Sequence, residues 1–137
     1  MYVEQLTVFI ENRAGRLEKV TKVLKENGIS MLSLSLADAS EYGLLRIIVK
    51  DHEKAKQVLK DAGFSCMTHK VLAIKLVQTA GSLGDMLSAL SEKSIDVEYM
   101  YVLFSGEKEA CLITKTSDLE LAIKAVKDKG FELWCFD

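Results

Sequence analysis

From Val3 to Ile10 apolar and polar residues alternate, with Leu6, Val8 and Ile10 on one side of an extended chain and Gln5, Thr7 and Phe9 on the other. That is the period of a strand with one face turned to a core. A polar turn, Glu11-Asn12-Arg13-Ala14-Gly15-Arg16, follows. The period then changes: Leu17, Val20, Val23 and Leu24 fall on one stripe of a helix that Gly28 stops. At Met31 the period returns to two, Leu32, Leu34 and Leu36 facing one way and Ser33, Ser35 and Ala37 the other. Ser40-Glu41-Tyr42-Gly43 supplies a turn, and residues 44–49 pair back as a hairpin. Asp51 can cap a second helix with Ala55, Val58, Leu59 and Ala62 on its inner side; Gly63 ends it, and residues 64–70 return as a strand. The order is βαββαβ.

The second half repeats this order at a constant offset of 66 residues, which sets Gly15 on Gly81, Leu17 on Leu83, Ile29 on Ile95 and Asp51 on Ser117. The frame slips by one only near the end, where Phe64 meets Phe131. No segment rich in Pro, Gly or Ser separates the copies, so residues 71–77 begin the second directly after the first. The expected fold is therefore α+β: two ferredoxin-like βαββαβ units, residues 1–70 and 71–137, each an antiparallel four-stranded sheet with two helices on one face. Eight strands and four helices follow. A unit of about 60 residues buries only about 60% of its unfolded surface, so each copy is expected to associate with another. In the strand around Tyr99, alternation sets Tyr99, Tyr101 and Leu103 against Met100, Val102 and Phe104, the latter three toward the helices. The uncovered aromatic stripe predicts a homodimer.

Composition narrows the function classes. The chain is 49% hydrophobic and 28% charged with a net charge of -2, a soluble globular balance with no positive surplus for nucleic acid or an anionic membrane surface. Met1-Tyr2-Val3-Glu4-Gln5 lacks the basic segment and apolar stretch of a signal peptide and no apolar run approaches about 20 residues, so a cytoplasmic protein is expected. Cys66, Cys111 and Cys135 lie in apolar runs without CxxC spacing and read as reduced core thiols. His52 opens the second helix and His69 lies in a strand, neither within a metal or nucleophile motif, so no catalytic residue, metal or cofactor is assigned. RNA recognition on this topology needs aromatic and basic residues on the central strands. Residues 44–49 offer one arginine and no aromatic.

What remains is the first strand-to-helix turn of each copy. Gly15 and Gly81 remove a side chain where the chain enters a helix, so a ligand carboxylate can approach main-chain amides at the positive helix end. Asn12, Arg13 and Arg16 surround the first turn, and Gln78, Thr79 and Ser82 the second. The spacings equally admit glycines that only shape the turn, solvated arginines, and an ordinary capping box in Ser82-Leu83-Gly84-Asp85.

Asn12-Arg13-Ala14-Gly15-Arg16-Leu17 followed by Asn27-Gly28-Ile29-Ser30 resembles the loop-and-helix signature of ACT domains, and the resemblance extends over nearly the whole chain in two copies. Ala14 and Ala80 stand where that family often has proline, and Gln78-Thr79 replaces the Asn-Arg pair. The resemblance implies a regulatory protein that binds a free amino acid or close analogue at an interface between ACT units. The implied ligand residues are Asn12, Arg13, Ala14, Gly15, Arg16 and Leu17 with Ser30, Met31 and Leu32. In the second copy they are Gln78, Thr79, Ala80, Gly81, Ser82 and Leu83 with Asp96 and Val97. The alternative is a ligand-free interaction module that serves as a regulatory subunit of a biosynthetic enzyme.

Overall fold

The computed structural model describes residues 1–39 and 41–136; Ser40 of the expected hairpin turn and Asp137 lie outside the described residues. The elements run β1 (Val3–Glu11), α1 (Arg16–Glu26), β2 (Met31–Ala39), β3 (Tyr42–Val49), α2 (His52–Asp61), β4 (Ser65–Val77), α3 (Ser82–Ser91), β5 (Val97–Ser105), β6 (Glu109–Thr116), α4 (Leu119–Asp128) and β7 (Leu133–Trp134). They fall into two units, Glu4–His69, and Lys70–Asp137 joined by Met1–Val3. Two contacts tie the N-terminus to the second unit: Lys70 Nζ lies 4.9 Å from the centre of the Tyr2 ring, and Lys127 Nζ donates to Met1 Sδ at 3.1 Å.

In the first unit β3 lies between β2 and β1, antiparallel to both, and the order continues from β1 to β4. In the second, β4 is flanked by β6 and β7, with β5 outside β6, all antiparallel. Both are the βαββαβ arrangement. The alternation in β1 sorts as expected: Leu6, Val8 and Ile10 join Leu45, Ile47 and Val49 of β3, Val20 and Leu24 of α1, and Ala55 and Leu59 of α2 in one buried cluster. The second cluster is built from Leu72, Ile74 and Leu76 of β4, Met86 and Leu90 of α3, and Ala122, Ala125 and Val126 of α4. Burying a leucine or valine side chain contributes about 1.5–3 kcal/mol, so these clusters hold the helices to their sheets.

Four expectations need correction. The described residues form seven strands rather than eight, because the two strands expected over residues 64–77 run on as the single β4, where no glycine or proline breaks the chain. The 66-residue frame slips earlier than expected. Residues 40–41 separate β2 from β3, whereas 106–108 separate β5 from β6, so the extra residue lies in the second hairpin turn. The residue equivalent to the helix-capping Asp51 is therefore Asp118, which accepts from the Leu121 amide as Asp51 does from that of Lys54. Ser117 instead exchanges hydrogen bonds with Asp96. Third, a bulge between Val102 and Phe104 reverses the alternation in β5. Phe104 pairs with Cys111 on the face away from the helices, while Met100 alone of the expected three packs on the helix-side cluster. Fourth, Cys111 is buried and Cys66 partly so, but Cys135 is exposed.

β2 is an edge strand. Leu34 and Leu36 stand opposite Ile47 and Leu45, on the helix side of the sheet, yet they are 53% and 52% exposed and Leu32 is 43% exposed. The strand carries an apolar stripe outside the cluster.

Candidate functional site

The two strand-to-helix turns are built alike, down to single hydrogen bonds. Arg13 N–H donates to Glu11 O at 2.8 Å and Thr79 N–H to Val77 O at 2.9 Å; Lys19 N–H reaches Gly15 O at 3.0 Å and Asp85 N–H reaches Gly81 O at 2.9 Å. Gly15 (φ 87°) and Gly81 (φ 88°) take a left-handed conformation that costs an L-residue energy, which is why glycine stands there. Neither supplies a side-chain cap, whereas Asp51 and Asp118 cap α2 and α4. The Arg16 and Ser82 amides turn back onto Arg13 O at 3.4 Å and Thr79 O at 3.3 Å, so the next amides of the first turn, those of Leu17 and Glu18 and of Leu83 and Gly84, are the ones left to solvent or to an anion at the positive end of the helix.

In the first unit this turn opens on a cleft of about 560 Å³, lined by Ile10, Glu11, Asn12, Arg13, Ala14 and Leu17 on one side and Leu36, Ala37, Asp38 and Gly43 on the other. The β2–β3 hairpin supplies the second side because β3 starts beside the end of β1, with Gly43 opposite Ile10. Gly43 is the floor. A Cβ there would come within 3.3 Å of Leu36 Cδ1 and 3.9 Å of Asn12 Oδ1. Arg13 lies at the rim, paired through Nε with Glu11 Oε2 at 3.2 Å.

Of the residues nominated from the sequence, Asn12, Arg13, Ala14 and Leu17 line this cleft, and Gly15 shapes the turn. Arg16 turns away: its guanidinium lies 4.4 Å from the centre of the Phe64 ring. Ser30 and Leu32 line a separate hollow of about 390 Å³ with Lys50, Asp51 and Lys54, while Met31 packs on the core. Glu11 and Tyr42 are paired at one end of the sheet, and Met31 and Val49 at the other. The seven steps of β3 between Tyr42 and Val49, at ~3.3 Å each, separate the two nominated segments by about 23 Å. They do not meet within one unit.

In the second unit Gln78 is taken up by the fold: its Nε2 donates to Ser105 Oγ at 3.0 Å and to Gly106 O at 3.2 Å, tying down the β5–β6 turn. Ser82 is buried and lines a different hollow, beside Phe131, and Leu83 is exposed. Thr79, Ala80 and Gly81 form the exposed turn. Asp96 is bound to Ser117, and Val97 packs on the core. The second turn keeps the backbone of the first without its cleft-side polar pair.

Leu36, Ala37, Asp38 and Gly43 are cleft residues that the sequence pattern did not single out. They were legible in principle, because βαββαβ pairing sets the β2–β3 hairpin tip beside the end of β1. The histidines are engaged in the first unit: His69 Nδ1 lies 3.0 Å from Thr7 Oγ1, which accepts from Gln5 Nε2 at 3.1 Å, and His52 Nε2 lies 3.6 Å from Glu4 Oε2. No cluster of three or more metal-binding side chains occurs among the described residues, and none of their helices is long and apolar enough to cross a membrane.

Comparison with known proteins agrees with this fold. The model of the ACT domain pair matches residues 1–132. A crystal structure of a protein from Bacteroides thetaiotaomicron is 34% identical, covers 98% of this chain and 92% of its own, and superposes with a TM-score of 0.93. The ligand-free regulatory subunit of aspartate kinase from Thermus thermophilus shares the fold at 18% identity and a TM-score of 0.66, covering 93% of this chain and 92% of its own. The regulatory subunit from Thermus flavus does so at 19% and 0.65, covering 91% and 90%. No curated protein matches the chain. With its duplicated βαββαβ units, twin glycine turns and matched family model, the chain belongs to the ACT domain pair family.

Proposed function

We propose that this chain is a regulatory protein that binds a free amino acid or close analogue at the first unit's β1–α1 turn, in a site completed by a second copy. The observation that carries this reading is the cleft over Gly43, which joins an uncapped helix N-terminus for a carboxylate to an apolar wall of Leu17 and Leu36. The family's second ligand segment, Ser30 to Leu32, lies at the far end of the same sheet. One ligand cannot touch both within a unit, so another copy supplies the second wall. Enclosure is needed on energetic grounds: micromolar binding requires about 8 kcal/mol, close to 1 kcal/mol per heavy atom for a small amino acid. The exposed leucines of β2 suit such a homodimer, since a nine-residue apolar edge strand is otherwise an open pairing template.

The same stripe favours a second reading, in which the chain docks on a biosynthetic enzyme as a separate regulatory subunit. Two structures of like fold are regulatory subunits of aspartate kinase. Melting the protein with each amino acid in turn separates the readings. A ligand at about 100 times its dissociation constant adds about 2.7 kcal/mol and raises the midpoint by several degrees. No shift with any amino acid, together with co-purification of an enzyme, would favour the second.

A further inference from the structure

The duplication allows each unit to be read as a template for the other, and one position differs in a way that exposes an aromatic ring. Gly63 and Gly130 end the second helix of their units with φ 93° and 87°. The next residues make the same hydrogen bond, Phe64 N–H to Leu59 O and Phe131 N–H to Val126 O, both at 3.0 Å. Phe64 and Phe131 are therefore equivalent. Phe64 is covered by two cations: the Arg16 guanidinium at 4.4 Å and Lys19 Nζ at 5.8 Å from the ring centre. It is 3% exposed. At the 66-residue offset Arg16 becomes Ser82 and Lys19 becomes Asp85. Phe131 is left half-buried between a hollow of about 280 Å³ that also contains Ser82 and Glu109, and a second hollow that contains Asp85.

The two hollows beside this ring hold the carboxylates of Asp85, Glu92, Glu109 and Glu132 against the lysines Lys75 and Lys129. Lys75 is paired with Glu132 at 3.8 Å and Lys129 with Glu92 at 3.4 Å, while Asp85 and Glu109 have no ion-pair partner among the described residues. The ring that holds a guanidinium in the first unit is, in the second, an aromatic face with two uncompensated carboxylates around it, the arrangement that attracts an organic cation.

The geometry points to a second ligand site on the face of Phe131, taking a small guanidinium compound that occupies the place Arg16 fills in the first unit. This does not rest on the amino-acid site proposed at the β1–α1 turn. Agmatine is the suitable probe, since it carries a guanidinium and no carboxylate. In an amide-resolved NMR titration of the full chain, agmatine is expected to give saturable shifts at Ser82, Gly130 and Phe131. Ser82→Arg, which supplies the cation from the chain itself, should abolish them and raise the melting temperature. Glu109→Lys, an exposed change that reverses one charge, should weaken binding about tenfold or more. Absence of saturable shifts in the wild-type protein would overturn the proposal, as would binding unchanged in Glu109→Lys or in a folded Ser82→Arg. None of these results bears on amino-acid binding at the first turn.

Discussion

Gly15 and Gly43 both border the candidate cleft or its turn, and they are glycine for different reasons. At Gly15 nothing lies within 4 Å of an added Cβ, but φ is 87°, so Gly15→Ala should cost about 1–2 kcal/mol through backbone strain alone. At Gly43 the conformation is ordinary and the nearest obstacle is the flexible Leu36 Cδ1 at 3.3 Å, so Gly43→Ala should leave stability within about 1 kcal/mol. Denaturant melts of the pair check this; equal losses would contradict it. The thiols differ as sharply. Burial pushes Cys111 up from 9.0 to about 11, only partly offset by Lys75. Its neutral form is held in the fold, so the stability it contributes is intact below pH 9 and lost as the pH rises toward 11. Thiol labelling near neutral pH should modify Cys135 at once and Cys111 only on unfolding. Rapid labelling of Cys111 in the folded protein would refute its burial.

At the scale of elements, the two kinds of helix start make separable predictions. Asp51→Ala and Asp118→Ala each remove a carboxylate that accepts from an amide three residues on, and each should cost about 1 kcal/mol. If urea melts show no loss for either, these are not working caps. The helices of the first unit and the faces of β1 were legible in the chain because period and glycine stops agree there. What was not legible depends on single residues that leave no trace in a hydrophobic pattern. The bulge at Val102 and Phe104 moves a side chain across the sheet, and one extra residue in the second hairpin turn transfers the capping role from Ser117 to Asp118. The continuity of β4 is likewise a tertiary fact, since two short strands and one long strand have the same alternation. Arg16 shows the same limit within the candidate site. Its position beside the glycine turn suggested a ligand contact, and only packing against Phe64 reveals its actual partner.

The whole molecule is a pair of small units whose first turns share a backbone and differ in chemistry. If the β2 leucines pair copies of the chain, sedimentation of the wild-type protein at micromolar concentration should give a dimer, and Leu34→Lys with Leu36→Lys a folded monomer; a wild-type monomer would count against the second wall of the site. The proposed regulatory role depends above all on an amino acid being held over Gly43. The direct measurement is a melting series of the wild-type protein and of Gly43→Val against each free amino acid. At least one amino acid should raise the wild-type midpoint by several degrees and leave that of a folded Gly43→Val unmoved, because the added methyls occupy the cleft floor. An equal rise in both proteins, or no rise in the wild type with any amino acid, would contradict it.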